Sequence, residues 1–414
     1  MSRKWFIAAV GTFIHLLLGT VYAWSFFQGP ITDMSGWSNT QVAWAFSISI
    51  LMLGLTSAWA GNKMTTYGPR KLAMIGGLLY GLGYLISGYA LAHHQLFLLY
   101  LGFGFLGGIG LGLAYVTPVA TVSAWFTEKQ GLATGMVVMG FGFGALVMSK
   151  FMAPLFLQLS DNNLSSTFYM IGAVMLVLIP LLATFLKMPA GVAAETETET
   201  VEVADNSKPL YKYILPKPFI IVWLVFMSSI VAGMIFISFQ SPLLQDLMMA
   251  KMPTDTNFSD PQVIATLAAA GGTLIAISSV FNGAGRFVWG AVSDKIGRMR
   301  SFRIILALQA VVFGLLIFVT NPIIFSVLVC VVLLSYGGGF GVLPSLAKDM
   351  FGDSMMASIY GALLTAWGAG GIVGPQIVAF MKDNYAADAG LYAFIAGGII
   401  LITGLALSFA YKQK

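Results

Sequence analysis

Arg286 stands in "VFNGAGRFVWGAVSDKIGR", residues 280–298, with Gly, Ala, Phe, Val and Trp on either side. A guanidinium is permanently charged, and its planar fork of donors fits a carboxylate through two parallel hydrogen bonds. At the centre of a membrane helix an arginine costs roughly 2.5–3.5 kcal/mol on insertion scales, so it persists there only with compensation. One compensation is an anionic ligand. The other is snorkelling, because Arg286 precedes Asp294 by eight residues, roughly 12 Å of helix, and a long side chain nearly spans that distance. Ser278 and Ser279 lie two turns before Arg286 and Asn282 one turn before it, on or beside the same face. A polar stripe of that kind suits a cavity wall better than a lipid-facing surface.

Other residue types extend the same chemistry. Tyrosine hydroxyls donate to a carboxylate while aromatic rings pack its apolar end. Thr117, beside the helix-kinking Pro118, adds a hydroxyl. His15 lies seven residues before Tyr22, which places both on one helical face. It can carry a proton, or it can be a neutral histidine bonded to a neighbouring helix. Lys150 falls near the outer end of its apolar run and reads as a snorkelling cation, the alternative being a solvated gate residue or an electrostatic lure for anions. Cys330 is the single cysteine, inside an apolar run, and reads as a small buried hydrophobe. No disulfide framework or cysteine metal site is available to it. No Asp or Glu sits deep in any apolar run, and no metal-ligand cluster or nucleophile–base pair is evident, so no enzyme activity, metal or cofactor is expected. Glycine runs such as "GFGFLGGIGLG" (102–112) follow no strand, so they read as helix-packing surfaces and not nucleotide loops.

These residues need a scaffold, and composition indicates which. Of 414 residues, 58% are hydrophobic and 9% charged, against roughly a quarter charged in soluble domains. The bilayer is therefore the expected solvent. Punctuation by polar, Pro and Gly residues predicts spans near 5–28, 41–62, 71–91, 95–121, 131–157, 166–187, 219–246, 262–292, 302–320, 322–347, 356–381 and 389–411. That is an all-α membrane protein of twelve transmembrane helices in two pseudo-symmetric six-helix bundles, 1–187 and 219–414. With both termini cytoplasmic, 17 of the 21 Lys and Arg residues fall on the inner side, the exceptions being Lys150, Lys251, Arg286 and Lys382. The apolar run after Arg3 and Lys4 reads as a retained span and not a cleaved leader. The linker, 188–218, contains "AAETETETVEVADN" and "SKPLYKYILPKP" and cannot bury a core, so a mobile cytoplasmic tether is expected. Short, scattered basic clusters exclude a nucleic-acid partner.

The chain also repeats. "GNKMTTYGPRK" (61–71) parallels "GAVSDKIGRMR" (290–300), and "WFTEKQGLATG" (125–135) parallels "MFGDSMMASIYG" (350–361). Gly61 and Gly290 are 229 residues apart and Gly135 and Gly361 are 226 apart, as a duplicated six-helix unit requires. Gly290, Asp294, Lys295, Gly297 and Arg298 resemble the loop signature of the major facilitator superfamily, Gly-x-x-x-Asp-Lys/Arg-x-Gly-Arg. The first copy keeps Gly61, Gly68, Arg70 and Lys71 but has Thr65 and Thr66 in place of acid and base. Within that superfamily, "FNGAGRFVWGAVSDKIGR" (281–298), "YGGGFGVLPSLAKDMFG" (336–352) and "GTVYAWSFFQGP" (19–30) resemble the oxalate/formate antiporter family and bacterial monocarboxylate transporters.

That resemblance implies a major facilitator fold in the inner (plasma) membrane, functional as a monomer. It implies a small carboxylate anion as substrate, with a proton as the possible second partner. It assigns Arg286 to the substrate carboxylate, Tyr22, Tyr115, Phe141, Tyr336 and Trp367 to the cavity wall, and Asp294, Asp349 and Arg298 to an inner gate. Oxalate-specific members carry a lysine where Trp367 stands, so one cation implies a monocarboxylate. Animal-type relatives carry an acid where Asn282 stands, which leaves His15, the substrate acid itself, or proton-free anion exchange as the coupling route. The resulting expectation is a secondary active transporter of lactate, pyruvate or formate type, coupled to protons and working by rocker-switch alternating access. An oxalate/formate-type exchanger is the alternative within transport, and a non-transporting carboxylate sensor the alternative outside it.

Overall fold

The structure, a computed structural model, describes residues 3–126, 130–189, 216–351 and 356–411. Among the described residues twelve helices are long and apolar enough to cross a membrane. They are α1 Arg3–Ser35, α2 Asn39–Met64, α3 Pro69–Ala92, α4 Leu96–Trp125, α5 Gly135–Leu159, α6 Leu164–Ala183, α7 Lys217–Met249, α8 Pro261–Ile296, α9 Arg298–Leu316, α10 Pro322–Met350, α11 Ile359–Asn384 and α12 Ala386–Phe409. No strand occurs among the described residues. The tether expected at 188–218 lies outside them except at its two ends.

Local signals set the boundaries. The Ser38 hydroxyl accepts from Gln41 N–H while the Gln41 side chain accepts from Ser38 N–H, a capping box that starts α2. Asp260 caps α8 through Gln262 N–H, with Pro261 in the first turn. Gly68 and Gly297, 229 residues apart, hold φ of 73° and 92° and let α3 and α9 begin at once. Only glycine adopts that backbone without a Cβ penalty, so the sequence repeat is also a repeat of backbone geometry.

The first span differs most from expectation. It runs to Ser35 instead of ending near 28, because Pro30 sits inside the helix with Gln28, Thr32 and Ser35. The Thr32 and Ser35 hydroxyls return to carbonyls at Gln28 and Ile31. Polar residues that read as a loop therefore satisfy themselves within the helix. Gly19–Ala23 tightens into a 3₁₀ turn, which places Tyr22 where the helix changes pitch.

Helices from before and after residues 190–215 interlock through two long seams, α2 against α11 and α5 against α8, and the second part of α1 packs on α7. Topology puts both termini at one end of the molecule. The opposite end is laced across the seams. Asp383 of α11 accepts from Asn39 N–H at 2.8 Å and Thr40 N–H at 2.8 Å, the first turn of α2. Lys382 pairs with Asp246 of α7 at 2.5 Å, a tie beside that cap but within the helices after residue 215. Lys150, exposed at this end, donates to Thr273 of α8 across the second seam at 2.6 Å.

Candidate substrate site

Arg286 is 2% exposed, enclosed by protein and not extended towards the end of its helix. Its guanidinium carbon lies 4.8 Å from the Phe340 ring centre and 5.5 Å from that of Phe141, both within cation–π range. None of its three guanidinium nitrogens has a hydrogen-bond partner among the described residues. Among the described residues no carboxylate pairs with it. An unpaired buried charge is strongly unfavourable, and two aromatic faces offset only part of that. The site therefore presents an electrostatic demand for an anion.

Glycines set where the arginine stands. A Cβ on Gly341 of α10 would meet the Arg286 carbonyl at 2.1 Å, and one on Gly337 would meet the Asn282 carbonyl at 2.0 Å. The α8 and α10 backbones touch along this line, so the arginine backbone has no freedom to shift sideways. On the seam side, the Ser279 hydroxyl donates to Gly142 O at 2.5 Å, and Leu146 N–H donates back to Ser279 Oγ at 3.1 Å.

Around the cation closes a box of rings. Tyr22 of α1 and Tyr336 of α10 meet hydroxyl to hydroxyl at 2.6 Å. Trp367 of α11 lies 5.3 Å from Tyr115, 5.8 Å from Phe141 and 4.8 Å from Phe340. Tyr22 packs edge-on to Phe141 at 4.9 Å. Tyr22, Tyr115, Phe141, Tyr336 and Trp367 are all buried, so helices from both parts of the chain, distant in sequence, meet in one aromatic cluster around Arg286.

Some anticipated residues have other engagements. Ser278 donates to Gln240 of α7 at 2.8 Å. With Ser279 bonded to α5, the stripe expected to line a cavity is largely helix-to-helix glue; only the Asn282 Oδ1 remains buried without a partner. Thr117 donates to Ala114 O at 3.1 Å, replacing the N–H that Pro118 lacks, so its proton serves the kink. His15 Nε2 lies 2.8 Å from the Tyr115 carbonyl. A carbonyl only accepts, so Nε2 carries the hydrogen and Nδ1 is a buried, unpartnered acceptor. The ring lies 4.8 Å from that of Tyr115, tilted by 31°, at the edge of this cluster. Arg298 pairs with Asp294 at 2.5 Å and reaches Asp349 at 3.5 Å. All three belong to α8–α10, so this cluster ties neighbouring helices and does not cross either seam.

Sequence reasoning passed over Phe340 and Asp383. Phe340 lies inside "YGGGFG", four residues after Tyr336, and so shares its face. Asp383 has no local signature, because the N–H groups that it caps are 343 and 344 residues away.

Comparison with known proteins decides the family. The Major Facilitator Superfamily model matches residues 8–375. The chain belongs to the Major Facilitator Superfamily. Its fold agrees: a bacterial homologue of the human lysosomal transporter Spinster superposes with a TM-score of 0.70 at 14% identity, covering 99% of this chain and 97% of that one. Full-length similarity runs to the oxalate:formate antiporter of Oxalobacter formigenes, 26% identical over 411 residues, 99% of this chain and 91% of the relative. Apicoplast pyruvate carrier 1 of Toxoplasma gondii is 25% identical across 85% of this chain and 78% of its own length. Human monocarboxylate transporter 14 is 32% identical over 146 residues, 35% of this chain and 28% of the relative. This Major Facilitator chain is thus a multi-pass integral membrane transporter and not an enzyme.

Proposed function

We propose that the protein is a secondary active transporter of a small monocarboxylate of the lactate, pyruvate or formate type, with Arg286 as the counter-charge for the carboxylate. The observation that carries this reading is the buried guanidinium with three unpartnered nitrogens inside an aromatic box. Tyr22 and Tyr336 supply hydroxyls to the carboxylate. Tyr115, Phe141 and Trp367 limit the size of the organic tail, Asn282 offers an acceptor beside Arg286, and Thr117 holds the kinked wall. The relatives named for oxalate, formate, pyruvate and monocarboxylates support the substrate class.

The first six and last six spans act as two bundles that rock about the chamber, as a monomer in the plasma membrane with both termini cytoplasmic. In that orientation the lacing by Asp383 and Lys150 is the external closure. Asp294, Asp349 and Arg298 are then available to the inner gate. His15 Nδ1 is the candidate proton carrier. A second reading, obligatory anion exchange, rests on Asn282 and the missing carboxylate partner of Arg286. With no internal counter-ion, an empty carrier would have to reorient with a naked buried charge.

Purified protein in proteoliposomes tests both. Uptake of labelled lactate or formate is expected from the native chain and is abolished in Arg286→Ala; unimpaired flux in a folded Arg286→Ala protein would sink the assignment. Uptake driven by an imposed pH gradient selects symport, whereas uptake that requires internal anion selects exchange. Binding without flux would leave a sensor.

A further inference from the structure

At the terminus-bearing end, α1, α3 and α6 enclose a cleft of about 350 Å3 far from Arg286. Three cations from three different helices converge on it: Arg3 in the first turn of α1, Arg70 at the second residue of α3, and Lys187 just beyond α6. Among the described residues none of the three is paired with a carboxylate. The cleft floor is apolar, with Ile7 only 2% exposed. Its sides are the rings of Phe6 and Phe185, an edge-to-face pair 5.5 Å apart that remain 43% and 45% exposed.

The apolar surface continues from the cleft towards the middle of the spans. Leu181 and Val177 of α6 precede Phe185 at four-residue steps, 54% and 58% exposed, and Phe13 repeats the Phe6 face of α1, 58% exposed. A cationic cleft that opens onto an apolar groove between two membrane helices has the polarity profile of one phospholipid. We infer that this cleft binds the phosphate headgroup of an anionic phospholipid, with an acyl chain along the groove between α1 and α6. The groove favours a lipid over a free phosphate, which has no use for exposed phenyl rings. Arg70 adds the N-terminal N–H groups of α3, which point towards an anion at that helix end.

Native mass spectrometry of the full chain, released from micelles containing dioleoyl phosphatidylglycerol or dioleoyl phosphatidylcholine, tests the site. One tightly retained phosphatidylglycerol is expected, preferred over phosphatidylcholine. The triple exchange Arg3→Gln, Arg70→Gln and Lys187→Gln removes that preference, about fivefold for each charge. A matched triple exchange at the same end but outside the cleft, Lys63→Gln, Lys295→Gln and Arg300→Gln, retains it. Should the cleft triple fail to purify, the three single exchanges give the same readout. Three results would each overturn the inference: equal loss in both triples, which is non-specific charge attraction; displacement of the lipid by millimolar inorganic phosphate, which is a free-anion site; and lipid retention seen only after deletion of 190–215, which makes that acidic segment of the chain the normal occupant.

Discussion

Arg286 combines a position fixed by glycine contacts, a charge that none of the described carboxylates neutralises and a donor fork that aromatic faces leave open. Charge alone is not enough for such a site, which Arg286→Lys can demonstrate. Lysine keeps the cation but offers no planar fork, so Vmax/KM for a monocarboxylate is expected to fall at least ~10-fold while the purified protein stays folded. The Tyr22–Tyr336 pair makes a second residue-scale claim, because its hydroxyls bridge α1 and α10 at 2.6 Å. Tyr22→Phe preserves the ring packing and removes one donor, so KM is expected to rise about fivefold with little change in Vmax. For His15, the tautomer implied by the Tyr115 carbonyl leaves Nδ1 as its only proton acceptor. If that nitrogen carries the coupled proton, His15→Gln abolishes stimulation of uptake by an inward pH gradient and leaves anion counterflow intact. Unchanged gradient stimulation removes His15 from the coupling route.

At the scale of elements, helix contacts in this protein depend on positions where a side chain cannot exist. Gly341 is one, with the Arg286 carbonyl 2.1 Å from where its Cβ would lie. Gly341→Ala must push α8 away from α10, an overpacking cost of about 1–3 kcal/mol. A lower Tm by differential scanning fluorimetry and a weaker carboxylate response are expected. Gly314→Ala, on α9, meets nothing within 4 Å and serves as the comparison, with no loss of Tm. The helices themselves were largely legible in the sequence, because twenty apolar residues between polar punctuation leave few alternatives in a bilayer. The misjudged end of α1 came from Pro30, Thr32 and Ser35, residues that read as a turn yet satisfy their polar groups along the helix. Ser278 and Ser279 show the converse ambiguity. A polar stripe predicts burial away from lipid, but whether it faces a chamber or a neighbouring helix depends on what packs opposite.

For the whole molecule, the end opposite the termini is closed by Asp383 capping α2 across a seam, with the Lys382–Asp246 pair beside it. Asp383→Ala removes that cap, worth about 1 kcal/mol by analogy with helix N-caps. Spin-label distances between that end of α2 and that end of α11 are expected to lengthen in a roughly fivefold larger share of molecules. An unchanged distribution would mean that the apolar seam alone keeps the end closed.

Composition and periodicity by themselves determined the solvent, the count of spans and their order, because a chain this apolar must bury its backbone in helices that cross the bilayer. The repeat around Gly68 and Gly297 was equally readable, since a positive φ demands glycine wherever it recurs. Sequence also singled out Arg286, because a charge among apolar neighbours is conspicuous without any knowledge of its surroundings. Only the tertiary structure decided which aromatics join it, that Phe340 stacks on it, that Thr117 serves a kink, and that Asp383 closes the far end. Those outcomes depend on which residues meet across seams between helices hundreds of positions apart, and no local spacing encodes such a meeting.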